Sequence, residues 1–307
     1  MSTLVFGHLS PDTDSTGSPI IWAWYLNEVK GRTAEPALLG EPNTEAAWML
    51  ERWELDKPQI IDGVEAGQDV VIVDTNNPGE LPEGINDANI RAIIDHHRLV
   101  GGLETKGPIE ITIQPLACTA TIMHDLMGDD ADRMPDAIKG AMLSCILSDT
   151  LEFRSPTTTD HDKAVAQRLA EDLGIQIPSY ATEMFAAKSD VSAFSDVELV
   201  RMDSKKHEVD GTSFRVSVLE TTSPDTVLKR KEGLFEAMET VKAEDGVDHV
   251  MLFVVDILEQ QATLLLPNDQ VRDVANKSFS TVCGDSDQVV LPGIVSRKKQ
   301  IIPNIAV

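Results

Sequence analysis

The sequence predicts an α/β protein. An N-terminal doubly wound domain with a mostly parallel sheet comes first, and a smaller C-terminal α/β domain with a mixed sheet follows. Three observations carry this. Residues 70–73 are a continuous apolar run, as in strands covered on both faces. Short apolar runs alternate with helix-length segments through the first 188 residues, the pattern of βαβ units. Around residues 188–196 the periodicity lapses into small and polar residues. That break sets the domains at 1–188 and 196–307, with a linker at 189–195.

Residues 4–7 read as a strand and residues 16–30 as a helix, with Ile20, Ile21, Trp24 and Tyr25 on one side. A strand at 37–40 and a helix at 43–53 follow. The run at 70–73 ends in the turn signal Asp74, Thr75, Asn76, Asn77, Pro78, Gly79. Strands are expected at 90–94 and 109–113, and helices at 119–127 and 135–147, with Pro135 suited to a first turn. Asp160 is placed as the cap of a helix ending at residue 173, and 179–187 forms one more helix. Beyond the boundary, strands are expected at 213–219, 250–257 and 262–266, with one helix at 224–242. Arg297, Lys298 and Lys299 lie between apolar pairs, in a strand-like segment.

Lys plus Arg is 26 and Asp plus Glu is 51, a formal charge of −25. Such a surface repels nucleic acid and anionic membranes at long range. It also repels anionic substrates unless cations are concentrated locally. Cys118, Cys145 and Cys283 are an odd number in no metal-like spacing, which suggests buried thiols in a reducing cytoplasm. No apolar run has the length of a membrane span, and the N-terminus has no signal-peptide pattern.

Six residues are candidate ligands: His8, Asp12, Asp14, Asp74, His96 and Asp149. Each sits at the expected C-terminal end of an apolar segment or in the loop after it, where open α/β sheets bind ligands. Imidazole with carboxylate suits Mn²⁺, Co²⁺, Zn²⁺ or Fe²⁺, whereas Mg²⁺ prefers oxygen alone. Six ligands exceed the need of one ion with open positions. Two ions about 3.5–4 Å apart, sharing a carboxylate, fit better, and such pairs clamp phosphoryl displacement. His96 and His97 pose a parity problem, because neighbours on a strand point to opposite faces. Both serve one site only if the chain leaves extended geometry at residues 95–97. In so acidic a chain, Arg297, Lys298 and Lys299 are an anion pocket candidate, Arg for bidentate contact and Lys as a point charge. No P-loop or dinucleotide fingerprint is present.

Six stretches, in order, are GHLSPDTDS (7–15), VDTNN (73–77), IDHHR (94–98), CTAT (118–121), SDTLEFRSPTTT (148–159) and SRKKQIIP (296–303). The set resembles the DHH phosphoesterase superfamily and, within it, the family II (manganese-dependent) inorganic pyrophosphatases, in the short form without inserted nucleotide-binding modules. The resemblance implies hydrolysis of pyrophosphate in a cleft between the two domains of a cytoplasmic homodimer. It implies two Mn²⁺ or Co²⁺ ions per subunit, with Mg²⁺ arriving on the substrate. One metal would be held by His8, Asp12 and Asp74, the other by Asp14, Asp74, His96 and Asp149. Asp74 would bridge the ions, His97 would donate a proton to the leaving phosphate, and Lys205, Arg297 and Lys298 would bind the phosphates. Lys206 is an alternative to Lys205. One departure stands out: the family reads Asp-His-Asn-Glu where this chain has Asp74, Thr75, Asn76 and Asn77. The bridging carboxylate is kept, and exchanges beside it are the kind that alter metal affinity. Two competing readings are a DHH exonuclease or exopolyphosphatase and a non-catalytic metal or phosphate sensor. The Gly-rich His motif of the oligonucleotide enzymes is not found.

Overall fold

The computed structural model describes residues 2–306, the side chain of Lys298 excepted, and the chain divides into two units, Met1–Lys188 and Ser189–Val307. The first unit holds strands β1 (Thr3–Phe6), β2 (Ala34–Leu38), β3 (Gln59–Ile60), β4 (Asp69–Val73), β5 (Asn89–Asp95) and β6 (Glu110–Ile113). All pair in parallel, in the order β3-β2-β1-β4-β5-β6. This is a doubly wound sheet whose winding reverses between β1 and β4. Phe6, Val70, Ile72 and Val73 are fully buried, because the sheet is covered on both sides.

Helices α1 (Thr13–Trp24), α2 (Thr44–Arg52), α3 (Thr119–Met127), α4 (Asp136–Thr150), α5 (Asp160–Leu173) and α6 (Ile177–Lys188) complete this unit. Three boundaries differ from the sequence reading in ways that matter for the site. α1 begins at Thr13 rather than residue 16, because the Asp12 side chain accepts from the Ser15 N–H at 3.0 Å and caps the helix. α4 continues to Thr150, so Asp149 lies in its last turn, and the helix ends on Leu151, Glu152 and Phe153, all with positive φ. α5 is capped by Thr159, not Asp160. Thr159 and Asp162 exchange side-chain and backbone hydrogen bonds in a capping box.

The second unit is a mixed sheet in the order β11-β10-β9-β8-β7. Its strands are β7 (Ser204–Val209), β8 (Thr212–Thr221), β9 (His249–Asp256), β10 (Gln261–Leu265) and β11 (Gln288–Pro292). Only β8 and β9 pair in parallel. Its helices are α7 (Asp196–Arg201), α8 (Pro224–Leu228), α9 (Lys231–Asp245) and α10 (Asp269–Phe279). The single helix expected at 224–242 is two, broken where the Arg230 guanidinium reaches the carbonyls of Val191 and Phe194 at 2.8 Å each. Those contacts also pin the segment 189–195 to this unit. The strand-like geometry expected at residues 297–299 is instead one wide helical turn, Arg297–Ile301. Gly293, at φ 76, ends β11, and the Gln300 side chain accepts from the N–H groups of Val295 and Ser296 at 3.0 Å each. Among the described residues no helix is long and apolar enough to cross a membrane.

Gly140 of α4 lies against Trp53, so a Cβ there would sit 2.0 Å from the indole. The indole cannot yield freely, since its N–H donates to the Tyr180 hydroxyl at 2.7 Å. Gly140→Ala is therefore expected to destabilise the first unit by about 1–3 kcal/mol through overpacking, despite the higher helix propensity of Ala. All four tryptophans lie in the first unit. A lower urea midpoint by tryptophan fluorescence checks this, and an unchanged midpoint refutes it.

Candidate metal centre

The site is assembled at the C-terminal ends of three neighbouring strands and the ends of two helices. Residues 7–12 link β1 to α1 and carry His8 and Asp12; Asp14 sits in the first turn of α1. Asp74 follows β4, His96 follows β5, and Asp149 closes α4. Since β1 and β4 flank the reversal of winding, the crevice opens where this sheet order provides it.

Within 4.8 Å of one another the ligating atoms form overlapping sets: His8, Asp12 and Asp74; Asp14, His96 and Asp149; and Asp74, His96 and His97. Asp74 is shared between the sides. Its Oδ2 is 3.5 Å from His8 Nε2 and its Oδ1 is 3.3 Å from His96 Nε2. Asp74 holds φ at 58, a left-handed conformation that Asp tolerates better than most residues. Its N–H still donates to the Ile94 carbonyl at 2.9 Å, so the turn starts directly off the sheet.

Neighbouring groups fix the remaining donors. Asp14, 1% exposed, accepts from Ser18 Oγ and from the Thr119 N–H, both at 2.7 Å. The Thr119 hydroxyl donates to Asp74 Oδ1 at 3.2 Å. Asp162 in turn holds the Thr119 turn, accepting from the Ala117 N–H and from Thr121 Oγ1. The Nδ1 of His96 faces the Leu116 carbonyl at 3.3 Å, which leaves Nε2 for the carboxylates. Asp149 Oδ2 is buried without a hydrogen-bond donor and lies 3.9 Å from His96 Nε2.

The parity problem at the two histidines is resolved by Asp95. β5 ends on this residue, and its fully buried carboxylate accepts from the His97 N–H at 3.0 Å and faces His97 Nδ1 at 2.9 Å. This side chain-to-backbone turn takes the chain out of extended geometry at once. Both rings then lie on one side, with centroids 4.2 Å apart. Asn76 locks the arrangement. Its amide donates to Asp95 Oδ2 and to the Arg98 carbonyl, and its oxygen accepts from the Val100 N–H. Asn76 and Thr119 lie in the motif stretches 73–77 and 118–121 without a role read for them, and Asp162 has no signal in the residue pattern; their partners reveal what they do.

The electrostatics are those of a site built for cations. Burial, then the charge of Asp74, raises the Asp14 carboxyl. Burial, then Asp14 and Asp74, pushes Asp149 well above the usual carboxylate range. Burial alone would lower His96, but its contact with Asp74 and the nearby carboxylates prevail and raise it to about 9. The hydrogen bond to Asp95 raises His97. Buried oxygens and imidazoles of this kind, one oxygen lacking any donor, fit divalent transition-metal ions.

The basic candidates all belong to the second unit. Arg297 is engaged by Asp203, with Nη2 at 2.8 Å from Oδ1. Lys206 donates to the Asp245 carbonyl at 2.6 Å, while Lys205 is exposed on the other face of β7. His207, two residues on, is lowered by burial and then by Arg297 and Lys205, which marks a local cationic patch around it. The side chain of Lys298 lies outside the described residues.

The histidine environment makes stability pH-dependent in divalent-free buffer. His96 has an ordinary value of 6.5 and about 9 in the fold, so its contribution is complete below about pH 6.5 and lost as pH rises through about 9. The loss is about 3 kcal/mol, and the raised His8 and His97 act in the same direction. Urea midpoints in EDTA should fall from pH 6.5 to 9.5. A flat profile, or one unchanged in His96→Gln, contradicts this origin.

Comparison with known proteins places this geometry in a family. The DHH family N-terminal domain matches residues 2–148 and the DHHA2 domain matches residues 182–306. The "probable manganese-dependent inorganic pyrophosphatase" of Lactobacillus acidophilus is 34% identical over 301 residues, 97% of this chain and 96% of that one. Its namesake in Staphylococcus haemolyticus is 34% identical over 303 residues, 99% of this chain and 97% of that one. A Methanococcus jannaschii crystal structure assigned to the family II inorganic pyrophosphatases is 31% identical, with a TM-score of 0.61, covering 99% of this chain and 98% of that one. An exopolyphosphatase-related protein from Bacteroides fragilis, 12% identical with a TM-score of 0.53, shares the fold. The chain thus belongs to the manganese-dependent, family II inorganic pyrophosphatases, with an N-terminal DHH domain and a C-terminal DHHA2 domain.

Proposed function

We propose that this protein hydrolyses inorganic pyrophosphate to two orthophosphates with two divalent ions, Mn²⁺ or Co²⁺, and Mg²⁺ carried by the substrate. The observation that supports it most is the convergence of six ligand candidates into two groups, His8, Asp12 and Asp74 and Asp14, His96 and Asp149, joined where Asp74 Oδ1 lies 3.3 Å from His96 Nε2. His8, Asp12 and Asp74 would hold one ion, and Asp14, Asp74, His96 and Asp149 the other. When bound, such a pair supplies Lewis acidity to phosphoryl oxygens and acidifies water towards neutral pH.

The chain's own groups complete the reaction. Asp95 accepts from His97 Nδ1–H, which leaves Nε2 for the substrate and raises the ring's affinity for a proton. His97 is the general acid, and its Nε2–H passes to the departing phosphate oxygen. Lys205, Arg297 and Lys298 bind the phosphates and balance their charge as the anhydride bond breaks. Arg297 exchanges the Asp203 carboxylate for a phosphate, anion for anion. The reading includes a cytoplasmic homodimer. The buried, unpaired thiols of Cys118, Cys145 and Cys283 agree with a reducing compartment, and light scattering measures the dimer.

Mn²⁺-reconstituted protein should release phosphate from pyrophosphate much faster than from tripolyphosphate, and not cleave a short oligonucleotide. His97→Gln should lower kcat by about 10²–10⁴ with Mn²⁺ binding kept. Asp74→Ala should abolish turnover together with one metal equivalent. Preference for tripolyphosphate or oligonucleotide would favour the other DHH activities. Tight pyrophosphate binding without hydrolysis would favour a sensor.

A further inference from the structure

Glu45 is fully buried in the first turn of α2, and no step of the reaction above uses it. Its Oε1 accepts two hydrogen bonds, from Thr13 Oγ1 at 2.6 Å and from Ser148 Oγ. Thr13 lies between Asp12 and Asp14, and Ser148 immediately precedes Asp149. One oxygen atom thus ties the helix start that carries two candidate ligands to the helix end that carries a third. The other oxygen, Oε2, has no hydrogen-bond donor; Lys188 Nζ lies 3.4 Å from it. The Lys188 carbonyl also accepts from Thr44 Oγ1, so the end of α6 is held at both its backbone and its side chain.

A buried carboxylate with a single cation beside it and one oxygen without a hydrogen-bond donor is unfavourable on its own account. What it secures is geometry. Hydrogen bonds to an ionised acceptor are stronger than neutral ones, and two of them on one oxygen hold α1 and α4 at one spacing. Metal ligands depend on such supporting contacts, because an ion tolerates little displacement of its donors.

We propose that Glu45 is a positioning residue of the metal centre. It holds the N-terminus of α1 and the C-terminus of α4 so that Asp12, Asp14 and Asp149 converge, with Lys188 as its counter-charge. The proposal rests on the metal-centre reading above.

The test is Mn²⁺ titration of the metal-stripped full chain, followed by electron paramagnetic resonance, alongside thermal unfolding. Glu45→Gln should weaken Mn²⁺ binding about tenfold or more. Ser148→Ala should weaken it less, in the same direction, while Lys57→Met on the exposed surface leaves it unchanged. The Mn²⁺ concentration for half-maximal pyrophosphate turnover should rise in step, and KM for pyrophosphate at saturating Mn²⁺ should not. If wild-type protein binds no Mn²⁺, the metal-centre reading itself is wrong. If wild type binds and both variants titrate like it, even with a lowered Tm, Glu45 is merely structural and the proposal is overturned. Should Glu45→Gln fail to fold, Ser148→Ala and Lys188→Met decide by the same criterion.

Discussion

Three carboxylates, Asp14, Asp74 and Asp149, are held together with, among the described residues, no lysine or arginine as a hydrogen-bonding or ion-pair partner. Such a cluster is bearable in two ways: it takes up protons, or it takes up cations. Without a cation, burial and mutual repulsion favour the protonated forms of Asp14 and Asp149, and the carboxylates around His96 favour its protonated ring. A divalent ion needs those ligands deprotonated, so ion binding and proton release are one equilibrium. Much of the surrounding structure serves to keep the carboxylates together against their repulsion.

The fold supplies that restraint from several directions. A parallel sheet ends its strands on one edge, and the reversal between β1 and β4 leaves a crevice there. The strands deliver His8, Asp74 and His96; the helices deliver Asp14 at an N-terminus and Asp149 at a C-terminus. The helix-capping role of Asp12 leaves its carboxylate beside the neighbouring candidate ligand His8. Its Oδ1 accepts from the Ser15 N–H at 3.0 Å while lying 3.8 Å from His8 Nε2. Asp162 and Glu45 work from behind. One holds the turn that donates to Asp14 and Asp74, and the other joins the two ligand-bearing helix ends.

The first unit was legible in the sequence because its signals are local. Val70 to Val73 are apolar since both faces are covered, and Asp74 and His96 stand out because polar residues end such runs. The second unit was harder. β7, with sequence SKKHEV, is an edge strand, and its exposed face is polar, so no apolar run announces it. The turn at Arg297–Ile301 looked extended because apolar pairs flank it, yet the side chains of Ser296 and Gln300 bend it. Glu45 and Asp162 were invisible for a different reason: their roles lie in contacts between residues far apart in sequence. The partner of Glu45 at Ser148, for instance, is 103 residues away.

The departure at Thr75 and Asn77 can be judged from the same contacts. Family members carry His and Glu there, and both exchanged side chains here are spent within their own turn. Thr75 Oγ1 donates to Glu80 Oε2 at 2.7 Å and accepts from the Asn77 N–H at 3.1 Å, and Asn77 Oδ1 accepts from the Gly79 N–H at 3.0 Å. The Glu80 carbonyl then accepts from the Leu9 N–H at 2.9 Å, next to His8. The turn is therefore self-supporting and still docked on the loop that carries His8. Between the exchanged positions, Asn76 keeps its bonds to Asp95 and to the Arg98 carbonyl. The residue that joins the Asp74 turn to the paired histidines is thus retained. The substitution removes an imidazole and a carboxylate from beside the site without loosening the frame that aims Asp74, His96 and His97 at one another.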